Sequence, residues 1–424
     1  VRNVFGGLTP KVLPLALLLA AAGAMAQDYP VDPPGGPESG DRVPPVGIAL
    51  LEPEPLPELV TPLALLDRLV VPGTRLQLEW RPDGGISTAE IPSPVVVARG
   101  AKAGPVLCLF AGVHGDEING VEIVRRVSHS VDPTRLSGTV IGVPIVNVFG
   151  YSRGSRYLPD RRDLNRHFPG SGRGSIASRI AHSFFQDVVR HCDVLVDFHT
   201  GSFARSNLPQ VRADLTNPEV LEFSRGFGAT VVLHSPGSRG MMRVAATAVG
   251  IPAVTFEVGS PTRLEPEEIA QAVAAIDRLM LNLGMQEPPE LAIPDLEALA
   301  ALTVEPAPIY LSSRWVRANS GGLLISEVSL GQKVMAGQRL GRVIDPVSNV
   351  ERYILAPQPG RVIGMAHNQA VLPGYAAYHL GTETSEQQAV RQAEDPAEPA
   401  AETVAEDSDE RPEAAEVADD EDFE

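Results

Sequence analysis

Two short stretches hold the residues best suited to chemistry: Gly112-Val113-His114-Gly115-Asp116-Glu117 and, about eighty residues on, Val196-Asp197-Phe198-His199-Thr200-Gly201. Each follows an apolar run and ends in glycine-flanked polar residues. Together they offer two imidazoles and a carboxylate, from His114, Glu117 and His199. That is the ligand set of an open catalytic zinc site, in which three protein ligands leave a fourth position for water. Such a site activates water or polarises a carbonyl, so it points to hydrolysis. His114 and Glu117 are three apart, within one turn, and can face the same ion. Asp116 is a candidate to orient a ligand from behind. A His₂Glu set also accepts cobalt or nickel. A lone H-x-x-E occurs in ordinary strand-to-helix loops, and His199 in a matching context is what gives it weight. The other histidines, such as His129, His182 and His191, lie in helical patterns and read as surface or packing residues.

Glu257 stands in the apolar run Val254-Thr255-Phe256-Glu257-Val258-Gly259. Burying a charge unpaired is costly, so this one needs a reason. One reading is a general base that takes a proton from water beside the metal. The other is a buried ion pair with one of the chain's arginines. A third cluster runs from Ser155 to Gly170 and contains Arg156, Arg161, Arg162, Asn165 and Arg166. The guanidinium fork binds both oxygens of a carboxylate, and a further arginine would suit an oxyanion. The plain alternative is a polar surface loop.

The elements that must position these groups alternate in type. Val106–Ala111, Thr139–Val146, Val194–Phe198, Thr230–Leu233 and Ala253–Val258 read as short buried strands. Between them, Ile118 to Val127 has a helical apolar stripe, Ser175 caps a helix to about Arg190, and Glu265–Leu283 is strongly amphipathic. This alternation predicts an α/β layer fold with a mixed, largely parallel sheet and flanking helices. Ligands in such sheets sit beyond the carboxyl ends of the strands, where His114, His199 and Glu257 all fall. Upstream, Leu76–Trp80 and Pro94–Val97 are β-like, with Asp83-Gly84-Gly85 as a turn. From about Ile309 short β runs separated by Gly and Pro predict a small all-β module ending near Leu380.

The ends of the chain differ from its middle. Arg2 and Lys11 flank an apolar Val12–Ala22 run before Ala24-Met25-Ala26, which reads as a secretory signal peptide, with a signal anchor as the alternative. No later stretch is apolar enough to span a membrane, so the expectation is a periplasmic or secreted protein. Residues 27–65 form a Pro-rich leader. The formal charge of −18 is mostly a property of the tail, where seventeen acidic residues from Glu383 to Glu424 face Arg391 and Arg411. That tail predicts an acidic disordered segment over 383–424. No basic patch stands out, which argues against nucleic acid as a partner. Cys108 and Cys192 are the only cysteines, and either a bridge or two separate buried thiols fits them.

The ordered motifs G-x-H-G-D-E, D-L-N-R-x-F-P-G, D-F-H-T-G and F-E-V-G resemble the succinylglutamate desuccinylase/aspartoacylase family of the zinc carboxypeptidase superfamily, over roughly Val70 to Leu380. The resemblance implies one Zn²⁺ per chain on His114, Glu117 and His199, with Glu257 as general base and then acid. It implies that Asn165 and Arg166 grip a substrate carboxylate, that Arg156 holds the oxyanion with Arg161 and Arg162 as alternatives, and that Arg243 makes a second carboxylate contact. Tyr375 is the candidate for a tyrosine that the β module adds to some family sites. It further implies a zinc hydrolase domain over 66–300 and a barrel-sandwich domain over 305–382, similar to biotinyl/lipoyl carriers. Asn349-Val350-Glu351-Arg352 stands where a carrier lysine would be, so no covalent cofactor is implied.

The sequence therefore leads to an exported zinc amidohydrolase of the N-acyl amino acid deacylase type, acting on a small carboxylate-bearing substrate. The alternatives are a carboxypeptidase or amidase acting on cell-wall or other small peptides, and a non-catalytic binding protein. The oligomeric state stays open, a homo-oligomer included.

Overall fold

The computed structural model describes residues 60–82, 91–287 and 308–384. The signal segment, most of the leader, the Asp83-Gly84-Gly85 turn, the 300–305 junction and the tail from 385 onward lie outside the described residues. In chain order the elements are β1 (Leu63–Leu65), β2 (Arg68–Val70), β3 (Thr74–Trp80), β4 (Ser93–Arg99), β5 (Lys102–Phe110), α1 (Ile118–Ser130), β6 (Ser137–Val143), α2 (Val148–Arg153), α3 (Ile176–Asp187), β7 (Val194–His199), β8 (Arg205–Ala213), α4 (Pro218–Arg225), β9 (Val231–His234), α5 (Met242–Thr247), β10 (Ala253–Gly259) and α6 (Pro266–Asn282). The C-terminal part is all strand: β11 (Ile309–Arg317), β12 (Gly322–Ser326), β13 (Lys333–Val334), β14 (Arg339–Ile344), β15 (Glu351–Leu355), β16 (Gly360–Ala366), β17 (Ala370–Val371) and β18 (Ala376–Thr384).

A mixed 12-stranded sheet carries the fold, in the order β13-β16-β18-β11-β9-β8-β10-β7-β5-β6-β4-β3. Its centre, β6-β5-β7-β10, is parallel, and β4 and β8 flank it antiparallel. The sheet continues into the C-terminal strands through β9–β11 and β8–β16. A second sheet, β15-β14-β12-β17, completes that region. Among the described residues no helix is long and apolar enough to cross a membrane.

Strand periodicity sets the two faces. On one face Phe110, Leu195 and Ala253 pack with α3 and α5, and Phe184 meets Trp80 and Phe110 edge-on at 4.9 and 5.0 Å. On the other Phe198, Phe256 and Phe227 cluster. Every residue of β7 and β10 is buried, so any polar side chain on them must be satisfied inside the protein. Cys108 and Cys192 are bonded, with an S–S distance of 2.01 Å, which decides between the two cysteine readings.

The strand β8 is not among the elements that the sequence pattern picks out. Its sequence, Arg-Ser-Asn-Leu-Pro-Gln-Val-Arg-Ala, has a central proline and alternates poorly. Pro cannot donate to a ladder and is confined to edges and bulges. Pro209 meets that condition: β16 pairs with residues 205–207, β9 pairs with residues 210–213, and the register against β10 shifts in between.

Candidate active site

The site lies at the carboxyl ends of the central strands. β5 ends at Phe110 and the chain turns through His114 and Glu117 into α1. Gly115 permits that turn, because a Cβ there would lie 2.0 Å from the Gly150 carbonyl carbon. Glu117 occupies the N-cap of α1 but makes no capping hydrogen bond. Its carboxylate instead faces the imidazoles, with Oε1 2.9 Å from His114 Nδ1 and Oε2 2.8 Å from His199 Nδ1. His199 is the last residue of β7 and pairs in parallel register with Glu257 on β10. Period 2 along each strand puts Asp197 and His199 on the face carrying Leu195, and Thr255 and Glu257 beside them.

The donor chemistry tests whether the site fits a cation. His114 Nε2 lies 3.0 Å from Asp163 Oδ1, and His199 Nε2 lies 2.9 Å from Asp197 Oδ2. Carboxylates only accept, so each Nε2 carries a hydrogen, and each Nδ1, facing Glu117, carries a proton or, where a cation replaces that proton, turns its lone pair inward. Those two Nδ1 atoms are 3.1 Å apart. The ligand atoms of His114, Glu117 and His199 all lie within 4.8 Å of one another, and all three residues are buried. Three converging acceptors are satisfied by bound protons or by a divalent cation, so the set fits a metal.

The electrostatics agree. Burial disfavours charge on His114, as does Arg156, yet Glu117 and Asp163 raise its pKa to about 9. His199, also against burial, is raised well above its ordinary value by Asp197 and Glu117. Glu117 is held below the usual carboxylate range, burial being outweighed by the two imidazoles. Asp163 is depressed likewise, against burial, by His114, Arg156 and Arg166. The centre thus favours positive charge in its middle.

Glu257 is 8% exposed, and burial pushes its pKa up against the pull of Arg212 and His199. Its Oε2 accepts from Asn207 Nδ2 at 3.0 Å, and Arg212 Nε lies 3.7 Å from Oε1. Glu257 thus has an arginine partner and stands beside the histidine at the end of β7, a position compatible with either reading of it.

The arginine cluster separates cleanly. Arg156 is buried and donates to Glu117 Oε1 and Asp163 Oδ2, both at 3.0 Å. Arg161 and Arg162 are exposed, and Arg162 lies 3.8 Å from Asp160. Asp163 caps a 3₁₀ turn, Leu164–Arg166, that brings Asn165 Nδ2 within 3.3 Å of His199 Nε2. Arg166 is half-buried and donates to the Asn165 carbonyl. Asn165 Oδ1 accepts from the backbone N–H of Met242, the residue before Arg243. Arg243 itself is buried and donates to the Ser235 and Pro236 carbonyls and to Ser235 Oγ. Tyr375 sits by the loop after His199, its hydroxyl donating to the Phe203 carbonyl at 3.2 Å.

Several participants escape the sequence reading. Asp163 and Asp197, rather than Asp116, touch the outer nitrogens of the histidines. The Asp116 carboxyl is raised by burial and by Glu117, and its backbone carbonyl accepts from Thr262. Asp197 was legible as the D-x-H pair, because residues two apart share a strand face. Asn207 and Arg212 lie on β8, which the proline concealed.

Comparisons with known proteins place the chain in a family. Residues 103–283 match the succinylglutamate desuccinylase/aspartoacylase catalytic domain. The chain is 31% identical over 264 residues to an N-alpha-acetyl-L-2,4-diaminobutyric acid deacetylase of Halomonas elongata, over 59% of this chain and 74% of that one. Its fold is similar to a succinylglutamate desuccinylase/aspartoacylase from Rhodobacter sphaeroides, with a TM-score of 0.63 at 23% identity, covering 73% of this chain and 96% of that one. It is equally similar to the product-bound ectoine utilization protein EutE (DoeB) of Ruegeria pomeroyi, with a TM-score of 0.63 at 23% identity, over 76% and 99% of the two chains. With its four motifs folded into one site, this chain belongs to the succinylglutamate desuccinylase/aspartoacylase family.

Proposed function

We propose that this protein is a zinc-dependent deacylase that hydrolyses the amide bond of a carboxylate-bearing N-acyl amino acid. The observation that carries the reading is the convergence of His114 Nδ1, Glu117 and His199 Nδ1 beside the raised Glu257 carboxyl. Membership of a family of amide-hydrolysing deacylases supports it. Zinc held by His114, Glu117 and His199 would supply Lewis acidity for the attacking water and the scissile carbonyl. Asp163 and Asp197 fix the two imidazoles so that each presents Nδ1. Glu257 takes a proton from the attacking water as the new C–O bond forms, then gives it to the amine as the C–N bond breaks. Arg156 stands beside the ligand set and offsets charge developing on the carbonyl oxygen. Asn165 and Arg166, and from further out Arg243 and Tyr375, bind the substrate and its carboxylate.

Export belongs to the same proposal. It rests on the signal-like N-terminus and draws support from the Cys108–Cys192 bond, which suits an oxidising compartment. That setting also keeps a second reading in play, a peptidase or amidase acting on cell-wall peptides. The β12, β14, β16 and β18 strands enclose their own core around Leu324, Leu340, Val362 and Tyr378, which supports a barrel-sandwich architecture for this region.

The test is amine release by the full chain from a panel of N-acyl amino acids and wall-derived peptides, with and without a chelator. Chelator-sensitive release from N-acyl amino acids is expected. Release from peptides alone would favour the second reading, and no release despite one bound zinc per chain would favour a binding protein.

A further inference from the structure

Phe203 combines an exposed ring with an unfavourable backbone. The residue is 49% exposed. It and Ala204 adopt φ values of +41° and +58°, in the left-handed region that residues with a Cβ avoid. Such a backbone persists where its surroundings over-determine it, and it concentrates at ligand clamps and active sites. Here the surroundings are explicit. Tyr375 Oη donates to the Phe203 carbonyl at 3.2 Å. The His367 backbone N–H donates to the Ala204 carbonyl at 2.8 Å, and Gln369 Nε2 donates to the same carbonyl at 3.1 Å. All three donors come from the turns around β17, so the far end of the chain holds the loop that follows His199.

That anchoring sets the ring beside Arg156 and Tyr157. The Arg156 guanidinium lies 5.9 Å from the Phe203 ring centroid, and the Tyr157 ring lies 6.5 Å away, tilted by 36°. Arg156 in turn donates to Glu117 in the ligand set. Single exposed phenylalanines are ordinary on protein surfaces. An exposed ring on a strained backbone, pinned by three hydrogen bonds beside a buried arginine, is not explained by packing, because the ring gains little burial from it.

We propose that Phe203, together with Tyr157, forms the apolar wall of the acyl subsite, so that the substrate carries an apolar acyl group, aliphatic or aromatic, in place of a small or acidic one. The inference rests on the deacylase reading, which places Arg156 beside the scissile carbonyl. A wall over that arginine flanks the group bonded to the carbonyl carbon.

The experiment uses the zinc-loaded full chain and derivatives of one amino acid bearing acetyl, succinyl, hexanoyl or benzoyl groups, beside a hexanoyl series in which the amino acid varies. Calorimetry of hexanoate and acetate binding gives a readout that needs no turnover. The wild type is expected to prefer hexanoyl or benzoyl over acetyl in kcat/KM, and hexanoate over acetate in binding. Phe203→Ala should cut both preferences about tenfold, the scale of one apolar contact in a specificity pocket. Phe203→Leu should retain most of the preference, and Phe203→Gly, which suits the positive φ, should lose it with no loss of thermal stability. Equal kcat/KM for acetyl and hexanoyl, a uniform loss across all acyl groups in Phe203→Ala, or a preference that follows only the amino acid would overturn the proposal. If no amide is hydrolysed but hexanoate selectivity depends on Phe203, the wall is supported and the deacylase reading falls.

Discussion

Gly364 on β16 pairs with Asn207 on β8, and a Cβ at residue 364 would lie 2.6 Å from Asn207 Oδ1. The other end of that amide donates to Glu257 Oε2 at 3.0 Å. A C-terminal strand therefore controls the space around the side chain that holds the proposed base. In Gly364→Ala the flexible Asn207 amide would yield more easily than backbone, so the melting temperature should change little. Turnover should fall by about ten- to a hundredfold, as small misplacements of a catalytic group do. Parallel measurement of kcat and Tm checks this, and a large loss of Tm with unchanged kcat would contradict it.

Asn207 also bears on pH dependence. Glu257 is raised by burial and by Glu117, and lowered by Arg212, His199 and the Asn207 hydrogen bond. A base works when deprotonated, so kcat/KM falls as pH drops through its pKa. Removing a contact that lowers the pKa moves that point upward. The acid limb of the kcat/KM profile should therefore shift to higher pH in Asn207→Ala. An unmoved limb would mean that another group controls it.

Asp197 and Asp163 should act through the histidines they touch. Replacing a carboxylate behind a metal-binding histidine typically costs 10–100-fold in metal affinity. Asp197→Asn and Asp163→Asn are each expected to weaken zinc binding by about that factor. Competition with a chromophoric chelator measures it.

The Cys108–Cys192 bond joins β5 to the segment entering β7, the strands that lead to His114 and His199, across a sequence separation of 84. Disulfides typically stabilise a fold by about 2–4 kcal/mol. The Cys108→Ala/Cys192→Ala double variant should lose about that much in denaturant unfolding. The loss should vanish when wild type and variant are compared under strong reductant.

The sequence made the chemistry legible wherever local pattern and chemistry coincide. His114, Glu117 and His199 each follow a short apolar run, and the α/β alternation already places such residues at strand ends. Glu257 stood out because a carboxylate inside an apolar strand carries a desolvation cost that calls for a partner. β8 was hidden because Pro209 reads as a strand breaker until β9 and β16 are seen to pair on either side of it. The choice among Arg156, Arg161 and Arg162 turns on burial, which three neighbouring arginines in a loop do not reveal. The Phe203–Ala204 backbone depends on contacts from residues 367–375, more than 150 positions away, and no local pattern encodes it.

Turnover and zinc content of Glu257→Gln beside the wild type, on an N-acyl amino acid the wild type hydrolyses, test the role of Glu257 as the base. The amide keeps the size and the Asn207 side of the site but cannot take a proton from water. One zinc per chain in both proteins and a loss of at least about a hundredfold in kcat, the scale of general-base catalysis, are expected. A Glu257→Gln protein that binds zinc and turns over like the wild type would contradict that role.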